Sequence, residues 1–221
     1  MRKCAANLVV IALCLSLKAG IVAASDWCGE NGVIRFSFAE GSELVQVLNT
    51  EEPVNGVTTV DVYAWLTDVD MVAHKGEKFL RVGGIEMKLT IEGAEAFILK
   101  QEFPSQALNV GEKTGTIIAG LVPGQRLEEG KTHLVKWQIM FQGRPENVRF
   151  GLDPSGVMSC PTVEGCVEAA PPAVYVGVEG SGQLGAMFGA GYVPAWLNPV
   201  GEPDTKPVRA KQTYQDVGIF E

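Results

Sequence analysis

The sequence predicts an all-β protein: a two-layer antiparallel β-sandwich followed by an irregular carboxyl-terminal tail. Three observations predict it. Short segments alternate apolar and polar residues with a period of two, which is the period of a strand that buries one face. Turn residues separate these segments at short intervals, and helical periodicity is nearly absent. About nine short strands at this spacing are typical of two packed sheets.

The clearest strands show which face each one buries. Residues 57–66 place Val60, Val62, Ala64 and Leu66 on one side. Residues 84–92 alternate in the same way, as do residues 133–141, so each of these strands is expected to bury one face. On the second and third strands the predicted core residues are Ile85, Met87, Leu89 and Ile91, and Val135, Trp137, Ile139 and Phe141. The remaining predicted strands are 32–40, 43–48, 96–100, 115–121, 148–152 and 173–179.

The amino terminus has the pattern of an export signal. Two basic residues, Arg2 and Lys3, precede an apolar stretch that Lys18 interrupts, and small residues lead to Ala24. This order is typical of a cleavable signal peptide, and the apolar stretch is too short for a membrane span. We therefore expect residues 1–24 to be a signal peptide, residues 25–195 to form the sandwich, and residues 196–221 to form a flexible tail. No later apolar run is long enough to cross a bilayer.

The charge of the chain limits its partners. Removing residues 1–24 takes away three of the 18 basic residues and none of the 26 acidic ones, which leaves a formal charge of −11. Nucleic-acid binding depends on lysine and arginine at the phosphates, so an acidic chain disfavours it. The predicted location is secreted, either extracellular or periplasmic, and the predicted partner is an extracellular protein or a glycan.

Three cysteines remain after the signal peptide: Cys28, Cys160 and Cys166. In an oxidising compartment the close pair Cys160 and Cys166 is expected to form a disulfide that closes a small loop, with Pro161 and Gly165 bending the chain. Cys28 is then a free thiol or an intermolecular bridge. The alternative joins Cys28 to one of the other two and ties the first strand to the end of the sandwich.

The polar face of strand 57–66 is the candidate ligand site. It carries Asp61, Tyr63 and Trp65, opposite the predicted core residues. Flat aromatic rings beside a carboxylate can stack a sugar ring and hydrogen-bond its hydroxyls. We expect both rings to be exposed if they bind a glycan. The alternative is that a loop, or a hairpin formed by residues 173–195, covers them.

Asp68 and Asp70 follow this strand and are the candidate metal ligands. Alternate residues at the end of a strand project the same way, so the two carboxylates could hold Ca²⁺ together with loop carbonyls. A structural Ca²⁺ is the only cofactor the sequence suggests. The alternative is a pair of solvated acids at the start of a loop.

Catalytic motifs are weak. Residues 180–185 match G-x-G-x-x-G, but three further potential helix breakers follow, so a turn within a hairpin is favoured over a dinucleotide site. The two histidines, His74 and His133, are expected to be ordinary surface residues, and no nucleophilic-serine elbow occurs. The chain is therefore not expected to be an enzyme. The alternative is a carbohydrate-active hydrolase that uses two of the many acids.

The order of elements resembles the cohesin and carbohydrate-binding modules of secreted bacterial proteins. The resemblance rests on an opening strand at 57–63, central strands at 84–93 and 96–102, a turn at 110–112 leading to 115–121, and a late strand at 131–141. It implies a jelly-roll or immunoglobulin-like sandwich. Separately, an all-β domain with few histidines, no catalytic motif and a flexible tail favours a non-catalytic extracellular binding or surface-structure module. An extracellular assembly subunit is the further alternative.

Overall fold

The computed structural model describes residues 28–30, 32–41, 43–71, 79–111, 114–153, 155, 173–178, 184–188 and 191–209. These residues form fifteen strands and no helix. None of them belongs to a helix that could cross a membrane. The strands are β1 (Cys28–Glu30), β2 (Val33–Ser37), β3 (Val47–Leu48), β4 (Val57–Thr67), β5 (Phe79–Glu92), β6 (Phe97–Glu102), β7 (Gln106–Asn109), β8 (Thr116–Arg126), β9 (Thr132–Gln142), β10 (Val148–Asp153), β11 (Ala173–Val178), β12 (Leu184–Phe188), β13 (Gly191–Val193), β14 (Ala195–Leu197) and β15 (Val208–Arg209).

The strands form two sheets, as a sandwich requires. One sheet has nine strands in the order β1-β12-β11-β5-β10-β14-β3, with β8 and then β7 attached at β5. The other has six strands in the order β15-β13-β2-β4-β9-β6. The prediction of an all-β sandwich is confirmed.

Both sheets are mixed, so the prediction of purely antiparallel sheets is corrected. The pairs β1–β12, β2–β13 and β3–β14 are parallel. In each pair a late strand returns beside one of the first three strands and runs in the same direction. Parallel neighbours need a long connection rather than a hairpin, and here the rest of the domain is that connection.

The predicted core faces are confirmed. Four residues of β4 are at most 5% exposed, and four residues of β9 are fully buried. In β5 three predicted residues are buried, and Ile91 packs against the core while partly exposed. These sets are Val60, Val62, Ala64 and Leu66; Val135, Trp137, Ile139 and Phe141; and Ile85, Met87 and Leu89.

A β-bulge in β9 adds one residue to this pattern. The pairing of β4 with β9 shifts after Ala64, which faces Val135, so that Trp65 faces His133 and Leu134 is the extra residue. Leu134 is fully buried. A bulge of this kind re-aims the neighbouring side chains, and here it places Trp65 and His133 directly opposite each other on the outer face.

The carboxyl-terminal boundary of the sandwich lies beyond residue 195, which corrects the prediction that the tail begins at residue 196. Strand β14 pairs with both β10 and β3, and Leu197 is fully buried. Asn198 is buried as well, and β15 pairs with β13. A three-residue strand is too short to show a period in sequence, and long-range pairing is what orders it. Residues 210–221 lie outside the described residues.

Several sequence predictions fall outside the described residues. The signal peptide, His74, Cys160, Cys166 and the first four residues of the glycine-rich motif are among them. The end of that motif lies in β12, which pairs antiparallel with β11. The hairpin interpretation of this segment is confirmed for these two strands.

Candidate functional site

Asp61, Tyr63 and Trp65 lie on the outer face of the six-stranded sheet, as predicted. Their neighbours on β4 point into the core, so alternation directs these three away from it. On the adjacent strand β9, the residues directly opposite Tyr63 and Trp65 are Lys136 and His133. We call these five side chains the outer-face cluster.

The two aromatic rings do not form an exposed platform, and a ligand-binding role for Asp61, Tyr63 and Trp65 stays a prediction. Tyr63 is only 5% exposed, and Trp65 is mostly buried. The ring of His133 lies 5.4 Å from the ring of Tyr63 and 5.1 Å from that of Trp65. Because directly opposite residues on paired strands are close, long side chains of β9 cover part of the rings on β4.

Two lysines also lie over these rings. The Nζ atom of Lys131 is 4.8 Å from the ring centre of Trp65, and that of Lys136 is 5.4 Å from the ring centre of Tyr63. Such cation–π contacts compete with a ligand for the same ring faces. The β11–β12 hairpin does not provide the cover, because it extends the nine-stranded sheet.

Lys136 is the electrostatic centre of the cluster. Its Nζ atom lies 2.8 Å from Asp61 Oδ2 and 4.0 Å from Glu102 Oε2. The hydrogen bond to Asp61 is the main cause that raises the pKa of Lys136. The hydrogen bond from Lys100 lowers the pKa of Glu102, which is the opposite of what a general acid of a glycoside hydrolase needs. The arrangement places the positive charge of Lys136 between two carboxylates.

His133 is not the surface residue that the sequence predicts. Burial against the two aromatic rings lowers its pKa and favours the neutral imidazole. Three side-chain atoms of the cluster are buried and have no hydrogen-bond partner among the described residues: Asp61 Oδ1, Trp65 Nε1 and His133 Nε2. A buried polar group without a partner costs free energy, and three of the five such side-chain atoms among the described residues lie in this cluster.

Asp68 has a different partner from the predicted Ca²⁺. Arg35 Nη2 donates to Asp68 Oδ2 at 2.9 Å, and Thr67 Oγ1 donates to the same oxygen at 3.0 Å. The hydrogen bond from Arg35 is the main cause that lowers the pKa of Asp68. Calcium needs six to eight oxygens, and the described residues contain no group of three His, Cys, Asp or Glu side chains that could hold a metal. Calcium binding by Asp68 and Asp70 stays a prediction.

An exposed apolar surface lies on the other sheet, where the sequence predicts no site. Leu108 is 74% exposed, Val122 is 67% exposed, and Val110 is also exposed. Leu108 faces Gly120 across the β7–β8 pair, and Val122 faces Gln106. Leu108 and Val122 are therefore diagonal neighbours on one face of the sheet. Val110 continues this face, because its N–H donates to Ile118 O. We call Leu108, Val110 and Val122 the apolar patch.

Gly120 keeps the centre of this patch open. It is exposed, and a Cβ atom added there would meet nothing within 4 Å. The signal in the sequence is the alternation Gln106-Ala107-Leu108-Asn109-Val110, in which Leu108 and Val110 share a side. Sequence reasoning missed it because periodicity alone does not tell which apolar side faces the core.

A groove of about 350 Å³ runs beside β6 at the edge of the sandwich. Residues 98–101 form one wall, and Asn109, Gly111 and residues 114–116 form the other. No carboxylate is among these lining residues, whereas a glycoside hydrolase needs two acids that flank its cleft.

Comparison with known proteins adds an architectural likeness. No family model matches the sequence, and no curated protein matches it. The chain is similar to a cohesin module from a family 33 glycoside hydrolase of Clostridium perfringens, at 10% identity and a TM-score of 0.42, with 77% of this chain and 99% of that chain covered. It is similar to the seventh ScaB type I cohesin from Pseudobacteroides cellulosolvens, at 10% identity and a TM-score of 0.44, with 80% and 98% covered. The resemblance to cohesin modules is one of architecture.

Proposed function

We propose that this protein is an exported, non-catalytic module that binds a partner protein through the apolar patch. The observation that carries the proposal is the exposure of Leu108, Val110 and Val122 on one sheet face. Water-exposed apolar groups that lie together on a rigid sheet favour burial against another protein. The open surface around Gly120, where an added Cβ atom would meet nothing within 4 Å, suits a protein partner better than a small ligand, which needs a concave pocket.

The other sequence alternatives have less support. A glycan platform requires exposed rings, and Tyr63 is buried while Trp65 is mostly covered. A hydrolase requires a pair of acids at a cleft, and the residues described as lining the edge groove include none. Export rests on the sequence of residues 1–24 and is part of the proposal.

The partner can be sought by photo-crosslinking in the medium of the native cells. A photoreactive residue placed at Leu108 is expected to form a discrete protein adduct. The matched control places the same residue at Val54, which is almost fully exposed and lies in the turn before β4. Excess unlabelled wild-type protein should suppress the adduct, whereas an excess of the Leu108→Ser, Val122→Ser double variant should not.

The double variant also separates loss of binding from loss of folding. Both positions are exposed, so its thermal midpoint should stay close to that of the wild type. The proposal fails if the adduct forms equally from Val54, or if the double variant competes as well as the wild type. It also fails if a glycan array shows binding that Trp65→Ala abolishes and the double variant leaves intact.

A further inference from the structure

Strand β6 is the longest edge strand among the described strands. The six-stranded sheet ends at β6, with six residues, and at β15, with two. The nine-stranded sheet ends at β1, β3 and β7, with three, two and four residues. Short edge strands are protected against pairing with another chain, because they offer few unpaired backbone groups. Strand β6 lacks this protection, and it contains no proline.

Two apolar side chains of β6 are half-exposed. Phe97 is 52% exposed and Leu99 is 53% exposed. The register with β9 shifts between Ile98 and Lys100, so Leu99 is the bulged residue. Apolar side chains at an unpaired edge favour pairing, because an added strand would cover them.

Two charges on β6 determine what kind of strand fits. Lys100 and Glu102 face Gln138 and Lys136 on β9, so both lie on the outer face, and Gln101 between them faces inward. Lys100 Nζ and Glu102 Oε1 are 2.6 Å apart, and both side chains are largely exposed. A strand that carries a lysine and a glutamate two residues apart is complementary to its own antiparallel copy.

We propose that two copies of this chain associate by antiparallel pairing of their β6 strands about a two-fold axis at Gln101. In this register Lys100 of each copy lies opposite Glu102 of the other, which forms two cross-strand ion pairs. Gln101 of one copy lies opposite Gln101 of the other. Inward-facing residues therefore pair with inward-facing residues, and outward-facing residues with outward-facing residues. The ladder extends from Leu99 to Phe103 and ends before Pro104, which has no N–H to donate.

Neighbouring registers are disfavoured by charge. An axis at Lys100 places the two lysines opposite each other, and an axis at Glu102 does the same for the two glutamates. An axis between Leu99 and Lys100 also matches the faces. In that register, however, Phe97 pairs with Glu102, and no lysine lies opposite a glutamate. The pattern of charges therefore selects the register at Gln101, and this selection is what the test examines.

Charge reversal provides the test, with sedimentation equilibrium over a range of protein concentrations as the measurement. The wild type should show a reversible monomer–dimer equilibrium. Lys100→Glu places two glutamates opposite each other, and Glu102→Lys places two lysines opposite each other. Each should raise the dimer Kd by about tenfold or more, because two attractive pairs become repulsive. The double variant Lys100→Glu, Glu102→Lys should dimerise more tightly than either single variant. Its thermal midpoint is measured alongside, because Glu102→Lys also places a lysine opposite Lys136 of β9 in the same chain.

Two controls keep the test specific. Lys88→Glu changes an exposed lysine on β5, away from β6, and should leave the dimer Kd unchanged. The Leu108→Ser, Val122→Ser variant should also dimerise normally, which separates this association from partner binding at the apolar patch. The proposal is overturned by a wild type that is monomeric at every concentration, by single reversals that leave the Kd unchanged, or by a folded double variant that dimerises no more tightly than the single variants.

Discussion

Asn198 links three loops of the sandwich from a position where the sequence predicts a flexible tail. Its Oδ1 atom accepts from Thr50 N at 2.6 Å. Its Nδ2 atom donates to Thr50 Oγ1 and to Pro145 O, each at 2.8 Å. The side chain is 3% exposed, and φ is 48°, a left-handed conformation that asparagine tolerates better than most residues.

The cost of Asn198→Ala follows from these contacts. Each lost hydrogen bond contributes about 1 kcal/mol, and the left-handed backbone costs alanine about 1 kcal/mol more than asparagine. The free energy of unfolding should therefore fall by about 3 to 4 kcal/mol, which for a domain of this size lowers the thermal midpoint by about 6 to 16 °C. Asn198→Gly loses the same hydrogen bonds without the backbone strain. Its free energy of unfolding should therefore be about 1 kcal/mol higher than that of Asn198→Ala.

Thermal and urea unfolding followed by circular dichroism measure these changes. Chains that end after Ala195 and after Arg209 form the matched pair, because only the first lacks Trp196, Leu197 and Asn198. The first should be destabilised more than Asn198→Ala, and the second should retain the stability of the full chain. If the chain ending at Ala195 unfolds at the wild-type midpoint, or if Asn198→Ala shifts it by less than about 2 °C, the inclusion of this segment in the sandwich is refuted.

Two further predictions concern pH and sulfur. Burial lowers the pKa of His133 in the folded state, so the unfolded chain binds more protons as the pH falls. The neutral imidazole therefore contributes stability above the unfolded-state pKa of about 6.5, and this stability is lost as the pH falls below that value. His133→Gln should therefore flatten the fall in urea midpoint between about pH 7.5 and pH 5.5, and an unchanged slope would contradict the buried neutral imidazole. Mass mapping of the exported, non-reduced protein should find an amino terminus at Ser25 or Asp26, a Cys160–Cys166 bridge and an alkylatable Cys28. A bridge from Cys28, or recovery of Met1 in a membrane fraction, would contradict these expectations.

The sequence by itself determined the all-β class and the core faces of the long strands. Burial of one sheet face imposes a period of two, and β4 and β9 are each 11 residues long, enough to display it. Val60 and Trp137 could be assigned to the core for this reason alone. Alternation also identified the outward direction of Tyr63 and Trp65, although it could not determine their exposure.

Only the tertiary structure decided what covers each outward side chain and which strands are neighbours. His133 covers the two rings because β9 pairs with β4, a contact between residues about 70 positions apart that no local pattern encodes. Leu108 is exposed because no segment among the described residues packs over it, and Leu197 is buried in a strand that pairs with Val148 of β10. Local periodicity reports which residues share a side, whereas exposure depends on which distant segment packs against that side.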